Sequence, residues 1–107
     1  METGYWLSRC KGRLSEEDRK AVIDMIAADP ECGVLIEGGG GIRKVRFAIG
    51  ARGKSGGVRV VYYFRNFDMP AFLLTVFAKN EQANLTPAQR AELGALAKLL
   101  AATYWRE

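Results

Sequence analysis

Two apolar runs joined by a short polar loop constrain the fold of this chain more than any other feature. Residues 58–64 lack a regular polar alternation, which predicts a central strand covered on both faces. The connection that follows contains Asn66, Asp68 and Pro70, which favour turns and argue against a continuing central strand. Residues 72–78 are apolar again and predict the next strand. Because the loop is short, the two strands must form an antiparallel hairpin.

The segment before this hairpin alternates between apolar and charged residues. Val45, Phe47 and Ile49 point to one face, whereas Lys44 and Arg46 point to the other. This pattern predicts a half-buried strand with a cationic outer face. Four consecutive glycines precede the strand and allow a tight turn or a close approach of the backbone.

Capping signals predict the helices on either side of the sheet. Ser15 can cap the N–H of Asp18, which begins one helix before the sheet. Thr86 followed by Pro87 begins another helix after it. The apolar stripe of this last helix consists of Leu93, Leu96, Ala97, Leu100 and Tyr104. A short apolar segment near the start of the chain predicts one or two further helical turns.

These elements predict an α+β fold with N-terminal helices, a small antiparallel sheet and a C-terminal helix. With 107 residues, the chain is expected to form a single domain over residues 1–107, with one modest core. That core, between sheet and helices, is predicted to contain Val45, Phe47, Ile49, Val60, Tyr62, Phe64, Leu74, Val76, Leu93, Leu96 and Leu100.

Positive charge is concentrated in the same region as the predicted sheet. Lys and Arg outnumber Asp and Glu by 16 to 12, a mild excess over the whole chain, but no acidic residue lies between Glu37 and Asp68. That window contains Arg43, Lys44, Arg46, Arg52, Lys54, Arg59 and Arg65. Segregated positive charge beside a glycine-rich loop predicts a phosphate-rich partner. The alternative is a solvated sheet edge whose cations only discourage aggregation.

Composition excludes several classes of function. The chain has no histidine, which removes a serine–histidine triad and most transition-metal sites. Cys10 and Cys32 are too few for a disulfide framework or a four-cysteine zinc site. Glu37, Asp68 and Glu81 are isolated along the chain, which argues against a two-metal nuclease. We therefore expect no metal and no cofactor.

Residues 53–56 bear a partial likeness to a nucleotide-binding P-loop. Ala48 stands where the first glycine of that motif belongs, and a strand rather than a helix follows. We therefore reject a P-loop here. No apolar run has membrane-spanning length and residues 1–4 do not resemble a signal peptide, so we expect a cytoplasmic protein without membrane contact.

The register of the predicted hairpin brings cations together. If Phe64 pairs roughly with Phe72, then Arg59 lies opposite Phe77, and Lys79 is the diagonal neighbour of Arg59 on the same face. Four cations would then converge, because the basic glycine-rich loop between the strands supplies two more. Such clustered positive charge is tolerable where the surface binds a polyanion.

The aromatic residues of the central strand have two readings. Packing in the core or on the sheet face is the usual role for consecutive aromatics of this kind. Alternatively, one outward tyrosine, for which Tyr63 is the candidate, stacks on an RNA base.

Three segments together resemble one protein family. They read Gly-Ile-Arg-Lys-Val-Arg at residues 41–46, Gly-Lys-Ser-Gly-Gly-Val-Arg-Val-Val-Tyr-Tyr at residues 53–63, and Leu-Leu-Thr-Val-Phe-Ala-Lys-Asn-Glu at residues 73–81. The chain resembles the RelE/HigB toxins of bacterial type II toxin–antitoxin systems over nearly its whole length. This resemblance implies a fold like that of microbial ribonucleases and an endoribonuclease that cleaves mRNA in the ribosomal A site. It also implies a cognate antitoxin, typically of the helix-turn-helix type, through which alone operator DNA would be contacted.

The resemblance also implies roles for individual residues. Arg59 and Lys79 match the cationic active-site positions on the sheet, and Arg52 and Lys54 match the basic loop. We expect Arg59, Lys79 and Lys54 to be catalytic, with Lys54 the candidate general base in a metal-free attack of the 2′-hydroxyl on phosphorus. The expected RNA-binding residues are Arg43, Lys44, Arg46, Arg52 and Tyr63.

The chain departs from the family pattern in two ways. Relatives usually begin with a strand before the first helix, whereas little precedes Tyr5, and no tyrosine follows Lys79 before Tyr104.

Two alternative functions stay open. A ParE-like toxin would inhibit DNA gyrase by binding rather than by hydrolysis. A non-catalytic remnant would bind its antitoxin and nothing else.

Overall fold

The computed structural model describes residues 1–49 and 57–104. In chain order the elements are α1 (Gly4–Cys10), α2 (Glu16–Ala28), β1 (Val34–Leu35), β2 (Ile42–Phe47), β3 (Val58–Tyr63), β4 (Phe72–Ala78) and α3 (Pro87–Tyr104). Within the described residues the strands form one antiparallel sheet in the order β1-β2-β3-β4. The predicted α+β fold is thus confirmed. The additional strand, β1, is two residues long, which is too short for an alternation to reveal.

The predicted helix starts are confirmed by their capping bonds. Ser15 Oγ accepts the N–H of Asp18 at 3.0 Å, and the Asp18 carboxylate accepts the N–H of Ser15 at 3.2 Å. At α3, the N–H of Gln89 donates to Thr86 Oγ1 at 3.1 Å, and the N–H of Thr86 donates to Gln89 Oε1 at 2.9 Å. Both are reciprocal capping boxes, which satisfy backbone donors that the helix itself leaves free.

The predicted position of Arg59 in the β3–β4 hairpin is confirmed. Arg59 pairs with Phe77, although the assumed pairing of Phe64 with Phe72 is off by one residue. Phe72 pairs instead with Tyr63, the last residue of β3.

A β-bulge in β4 accounts for both results. Val61 pairs with Thr75, whereas Tyr62 pairs with Leu73, so Leu74 has no partner on β3. One extra residue in β4 shifts the pairing at the loop end and leaves the other end of the hairpin in the predicted register.

The sheet has a core on each face, so the prediction of one core is wrong. The core against α1 and α2 consists of Trp6, Cys10, Leu14, Val22, Ile26, Val58, Val60, Tyr62, Phe64, Leu73 and Val76. The core against α3 consists of Ile42, Val61, Tyr63, Met69, Phe72, Leu74, Phe77, Leu93, Ala97 and Ala101. The central strand is therefore covered on both faces, as its apolar run predicts.

Small residues, rather than large ones, bring α3 onto the sheet. Leu93, Ala97 and Ala101 are its buried residues, whereas Leu96 and Leu100 are only partly buried. Leu96 and Leu100 are thus less buried than predicted. The alanines let the helix axis approach the sheet and leave these leucines at the rim of the core.

The glycine run after β1 forms the turn to β2 and supports α3. Gly38, Gly40 and Gly41 have φ angles of 75°, 71° and 107°, a region that other residues rarely adopt. A Cβ added to Gly94 of α3 would lie 2.9 Å from the carbonyl oxygen of Gly39. The helix therefore requires glycine at position 94 where it meets the turn, and the turn itself requires glycine for its backbone angles.

Two further contacts join segments that are distant in sequence. The buried Tyr62 hydroxyl accepts the N–H of Gly33 at 2.8 Å and donates to the carbonyl oxygen of Pro30 at 2.7 Å, which ties the end of α2 to the sheet. Burial raises the pKa of Tyr62 to about 12. Before α1, Glu2 forms a parallel bridge with Leu73, so this segment lies along the outer edge of β4.

Candidate active site

Arg59 lies on the α3 face of the sheet, at the end of the hairpin away from its loop. It is half-buried, and its neighbours across the sheet are Arg46 on β2 and Phe77 on β4. The Nη1 atom of Arg59 is buried without a hydrogen-bond partner in the part of the chain that the structure describes. A buried donor without an acceptor is costly, so an oxygen ligand that fills this position would be stabilised.

Arg46 and Lys79 flank Arg59 without neutralising it. Arg46 is exposed and stands directly opposite Arg59, a like-charge pairing that destabilises a sheet. Lys79 is exposed one residue beyond β4, and its N–H donates to the carbonyl oxygen of Gly57 at 3.4 Å. Three cations thus surround one end of the sheet.

The carboxylates in the described residues pair elsewhere. The three ion pairs between described residues join Arg9 and Arg13 to Glu81 and Arg19 to Glu2. Within the same residues, neither Arg46, Arg59 nor Lys79 has a carboxylate partner. The open end of the sheet is therefore a surface of uncompensated positive charge, which attracts anions.

Lys44 faces the same side as Arg46 but has a protein partner. Its Nζ donates to Asn84 Oδ1 at 3.0 Å, in the connection between β4 and α3. Lys44 therefore lies at the margin of the cationic surface, with its ammonium directed toward the start of α3.

Two predicted RNA-binding residues are not brought to this surface. Arg43 faces the opposite side of the sheet, where Nη1 donates to the carbonyl oxygen of Gly33 at 2.8 Å. Tyr63 is buried in the core beneath α3. Arg43 differs from its neighbours because successive side chains of a strand point to opposite faces. Arg52 and Lys54, predicted to line the site, lie outside the described residues.

Glu81 is the residue of this region whose role the sequence did not reveal. Its carboxylate accepts two bonds from Arg13 and one from the N–H of Ala78, at 2.7–2.8 Å. The pKa of Glu81 is lowered to about 2, chiefly by Arg13 and then by the Ala78 N–H. The contacts with Arg13 span 68 positions in sequence, a distance at which no local pattern gives a signal.

The described residues contain no group of three His, Cys, Asp or Glu side chains arranged to hold a metal ion. Among the same residues, no helix combines the length and the apolar character needed to cross a bilayer.

A family model matches most of the chain. The model of the family described as RelE toxin of the RelE / RelB toxin–antitoxin system matches residues 13–106, which include the whole sheet, α2 and α3.

Proposed function

Since this chain belongs to the RelE toxin family, it is a toxin of a toxin–antitoxin system, and we propose that it cleaves mRNA in the ribosomal A site. Translation would stop because the message is cut while it is being read. A cognate antitoxin is the partner that the family implies.

The observation that carries the proposal is one buried nitrogen of the Arg59 guanidinium. Its Nη1 is buried without an acceptor in the described part of the chain, whereas Arg9 and Arg43, which also bury one such nitrogen, donate through their other nitrogens. A phosphate group offers oxygens that match a guanidinium fork in geometry and charge. Arg46 and Lys79 add positive charge on either side, which favours a phosphodiester over a neutral ligand.

The reaction that suits such a site is metal-free transesterification of RNA. The 2′-oxygen bonds to the adjacent phosphorus as its proton leaves, and the bond from phosphorus to the 5′-oxygen breaks as that oxygen gains a proton. The products are a 2′,3′-cyclic phosphate and a 5′-hydroxyl. Arg59 stabilises the charge that builds on the non-bridging oxygens, a contribution worth about a hundredfold to a thousandfold in rate for one donor.

Proton transfer falls to lysines in this proposal, because the chain has no histidine. Lys54 is the proposed base for the 2′-hydroxyl, and Lys79 is proposed to protonate the leaving oxygen or to neutralise the phosphate. Lysines alone are weak proton-transfer groups for this reaction, so cleavage of free RNA is expected to be poor. A ribosome that holds the mRNA in an in-line geometry would supply the missing advantage, since pre-orientation of reactants is worth about 7–11 kcal/mol at most.

The antitoxin is proposed to act on the same surface. A cationic surface that binds mRNA phosphates is also complementary to acidic segments of a protein. Neutralisation would then occur by covering Arg46, Arg59 and Lys79 or by displacing α3, which is held to the sheet by few large side chains.

Primer extension on ribosomes programmed with a defined mRNA tests the proposed function. The purified protein is expected to cut within the A-site codon and to leave a 5′-hydroxyl, while the same mRNA without ribosomes stays intact. A parallel assay of gyrase supercoiling distinguishes the ParE-like alternative. Intact mRNA on ribosomes contradicts the proposal. Gyrase inhibition would then favour the ParE-like function, and antitoxin binding without growth arrest would favour the remnant.

A further inference from the structure

Glu81 fastens the turn after β4 to the segment that follows α1. Arg13 Nε donates to Glu81 Oε1 at 2.7 Å, and Arg13 Nη2 donates to Oε2 at 2.8 Å. Arg9 Nη2 approaches Oε2 at 3.5 Å, and the N–H of Ala78 donates to Oε1 at 2.7 Å. This arrangement, here called the Glu81 clamp, joins one carboxylate to three donor residues.

The turn that the clamp fastens carries Lys79. The N–H groups of Glu81 and Gln82 both donate to the carbonyl oxygen of Ala78, at 3.0 and 3.3 Å, and so close the turn around Lys79. The N–H of Lys79 itself donates to Gly57 at 3.4 Å, a long bond that fixes the backbone weakly. The clamp therefore adds to the pairing of Ala78 with Val58 as a restraint on the backbone from which the Lys79 side chain leaves the sheet.

The clamp has the geometry of a strong interaction. Two parallel N–H···O bonds from a guanidinium to a carboxylate fix orientation as well as distance. The Ala78 N–H adds a bond from the backbone of the very turn that is held. Both contributions lower the pKa of Glu81, so the carboxylate stays ionised at neutral pH and also in mildly acidic solution.

We propose that Glu81 is a positioning residue for Lys79 in RNA cleavage, an inference that rests on the proposed function. Glu81 does not touch the substrate in this account, and it acts by holding Lys79 within reach of the scissile phosphate. The competing account is that the clamp only joins α1 to the sheet. The two accounts differ in whether the loss of Glu81 matters once Lys79 is gone.

The contribution of the clamp to catalysis is measured from the cleavage rates of single variants on programmed ribosomes. Glu81→Gln keeps the size of the side chain and removes its charge, and kcat is expected to fall about tenfold to a hundredfold with KM unchanged, because misplacement by about 1 Å can cost a hundredfold. Arg13→Gln breaks the same pair from the other side and is expected to give a similar loss. Asp24→Asn and Lys20→Gln, which make the same charge changes on exposed positions of α2, are expected to leave kcat unchanged.

A double-mutant cycle with Lys79→Ala separates the two accounts. If Glu81 acts through Lys79, the double variant cleaves at the same rate as Lys79→Ala alone. An equal fold-loss from Glu81→Gln in both backgrounds overturns the inference, and so does a Lys79→Ala protein that cleaves at the wild-type rate. A wild-type protein that cuts no mRNA overturns the proposed function and this inference together. A wild-type protein that cuts mRNA, together with losses from Glu81→Gln and Lys79→Ala that add in free energy, overturns this inference alone.

Hydrogen exchange provides a readout that does not depend on activity. In Glu81→Gln, the amides of Ala78 and Lys79 are expected to exchange about tenfold faster than in the wild type, because the turn opens more often. The same amides are expected to be unaffected by Asp24→Asn. Unchanged exchange in Glu81→Gln would show that the clamp does not hold the turn, and would overturn the inference.

Discussion

The two faces of the sheet differ in how they are covered and in how their charges are paired. On one face, α1 and α2 contribute large side chains led by Trp6, and the nearby cations Arg13 and Arg19 pair with carboxylates. On the other, α3 contributes one leucine and two alanines, and beside it Arg46 and Arg59 have no carboxylate partner among the described residues. The difference separates a face whose nearby charges are paired from a face on which the proposed phosphate ligand would find cations without a carboxylate partner.

The largest effect on stability is expected from Trp6, at the centre of the α1 and α2 face. Trp6 is fully buried, and its indole N–H donates to Glu2 at 2.8 Å. Trp6→Ala should lower the free energy of unfolding by about 3–5 kcal/mol, because it leaves a large cavity. Urea denaturation measures this, with Tyr5→Ala on the exposed side of the same helix as the control, expected to cost less than about 1 kcal/mol. A smaller loss for Trp6→Ala than for the leucine variants of α3 would reverse the comparison of the two faces.

On the α3 face, two leucines of one helix should differ in their contribution. Leu93 is buried, and Leu93→Ala should cost about 2–5 kcal/mol. Leu96 is only partly buried against the same core, so Leu96→Ala should cost roughly 1–2 kcal/mol. Denaturation midpoints of the two variants check the difference. Equal losses would mean that α3 is rotated about its axis relative to the arrangement described above.

The smallest effect is the pH dependence that the Glu81 clamp gives to stability. The pKa of Glu81 is about 2 in the folded protein, against an ordinary value of 4.5, because Arg13 and the Ala78 N–H favour the carboxylate. The clamp therefore stabilises the fold fully above that ordinary value, and the contribution is lost as pH falls toward 2. The difference in unfolding free energy between the wild type and Glu81→Gln should shrink between about pH 6 and about pH 3. A constant difference would show that the charge of Glu81 contributes nothing to folding.

Much of this fold follows from local sequence patterns. The features that do not follow from them depend on contacts between distant parts of the chain. The alternation in β2 correctly assigns Lys44 and Arg46 to one face, because the pleat of a strand is a local property. The pairing of Arg59 with Phe77 agrees with the assumed register because the bulge at Leu74 offsets the one-residue error at the loop. The bulge itself does not follow from a local pattern, since its apolar neighbours fit either register.

The distribution of helices over the two faces could not be predicted from the sequence. Each helix has an apolar stripe, but the stripe does not say which face of the sheet it covers. The burial of Ala97 and Ala101 in place of Leu96 and Leu100 likewise depends on how closely α3 approaches the sheet. The Glu81 clamp joins Arg13 to a residue far away in sequence, so no local pattern predicts it.

The central claim is that Arg59, whose buried Nη1 has no hydrogen-bond partner among the described residues, binds phosphate. Single-turnover cleavage on programmed ribosomes tests this claim most directly. Arg59→Ala should lower the rate about a hundredfold to a thousandfold, and Arg59→Lys should recover little, because a point charge does not reproduce the guanidinium fork. Arg65→Ala, the same change at an exposed position beyond the other end of β3, is the control and should cleave normally. The Arg59→Ala protein should also melt at or above the wild-type temperature, since the change removes a buried donor that has no partner in the described part of the chain. A folded Arg59→Ala protein that cleaves at the wild-type rate would contradict the account and leave the cationic surface as a docking site only.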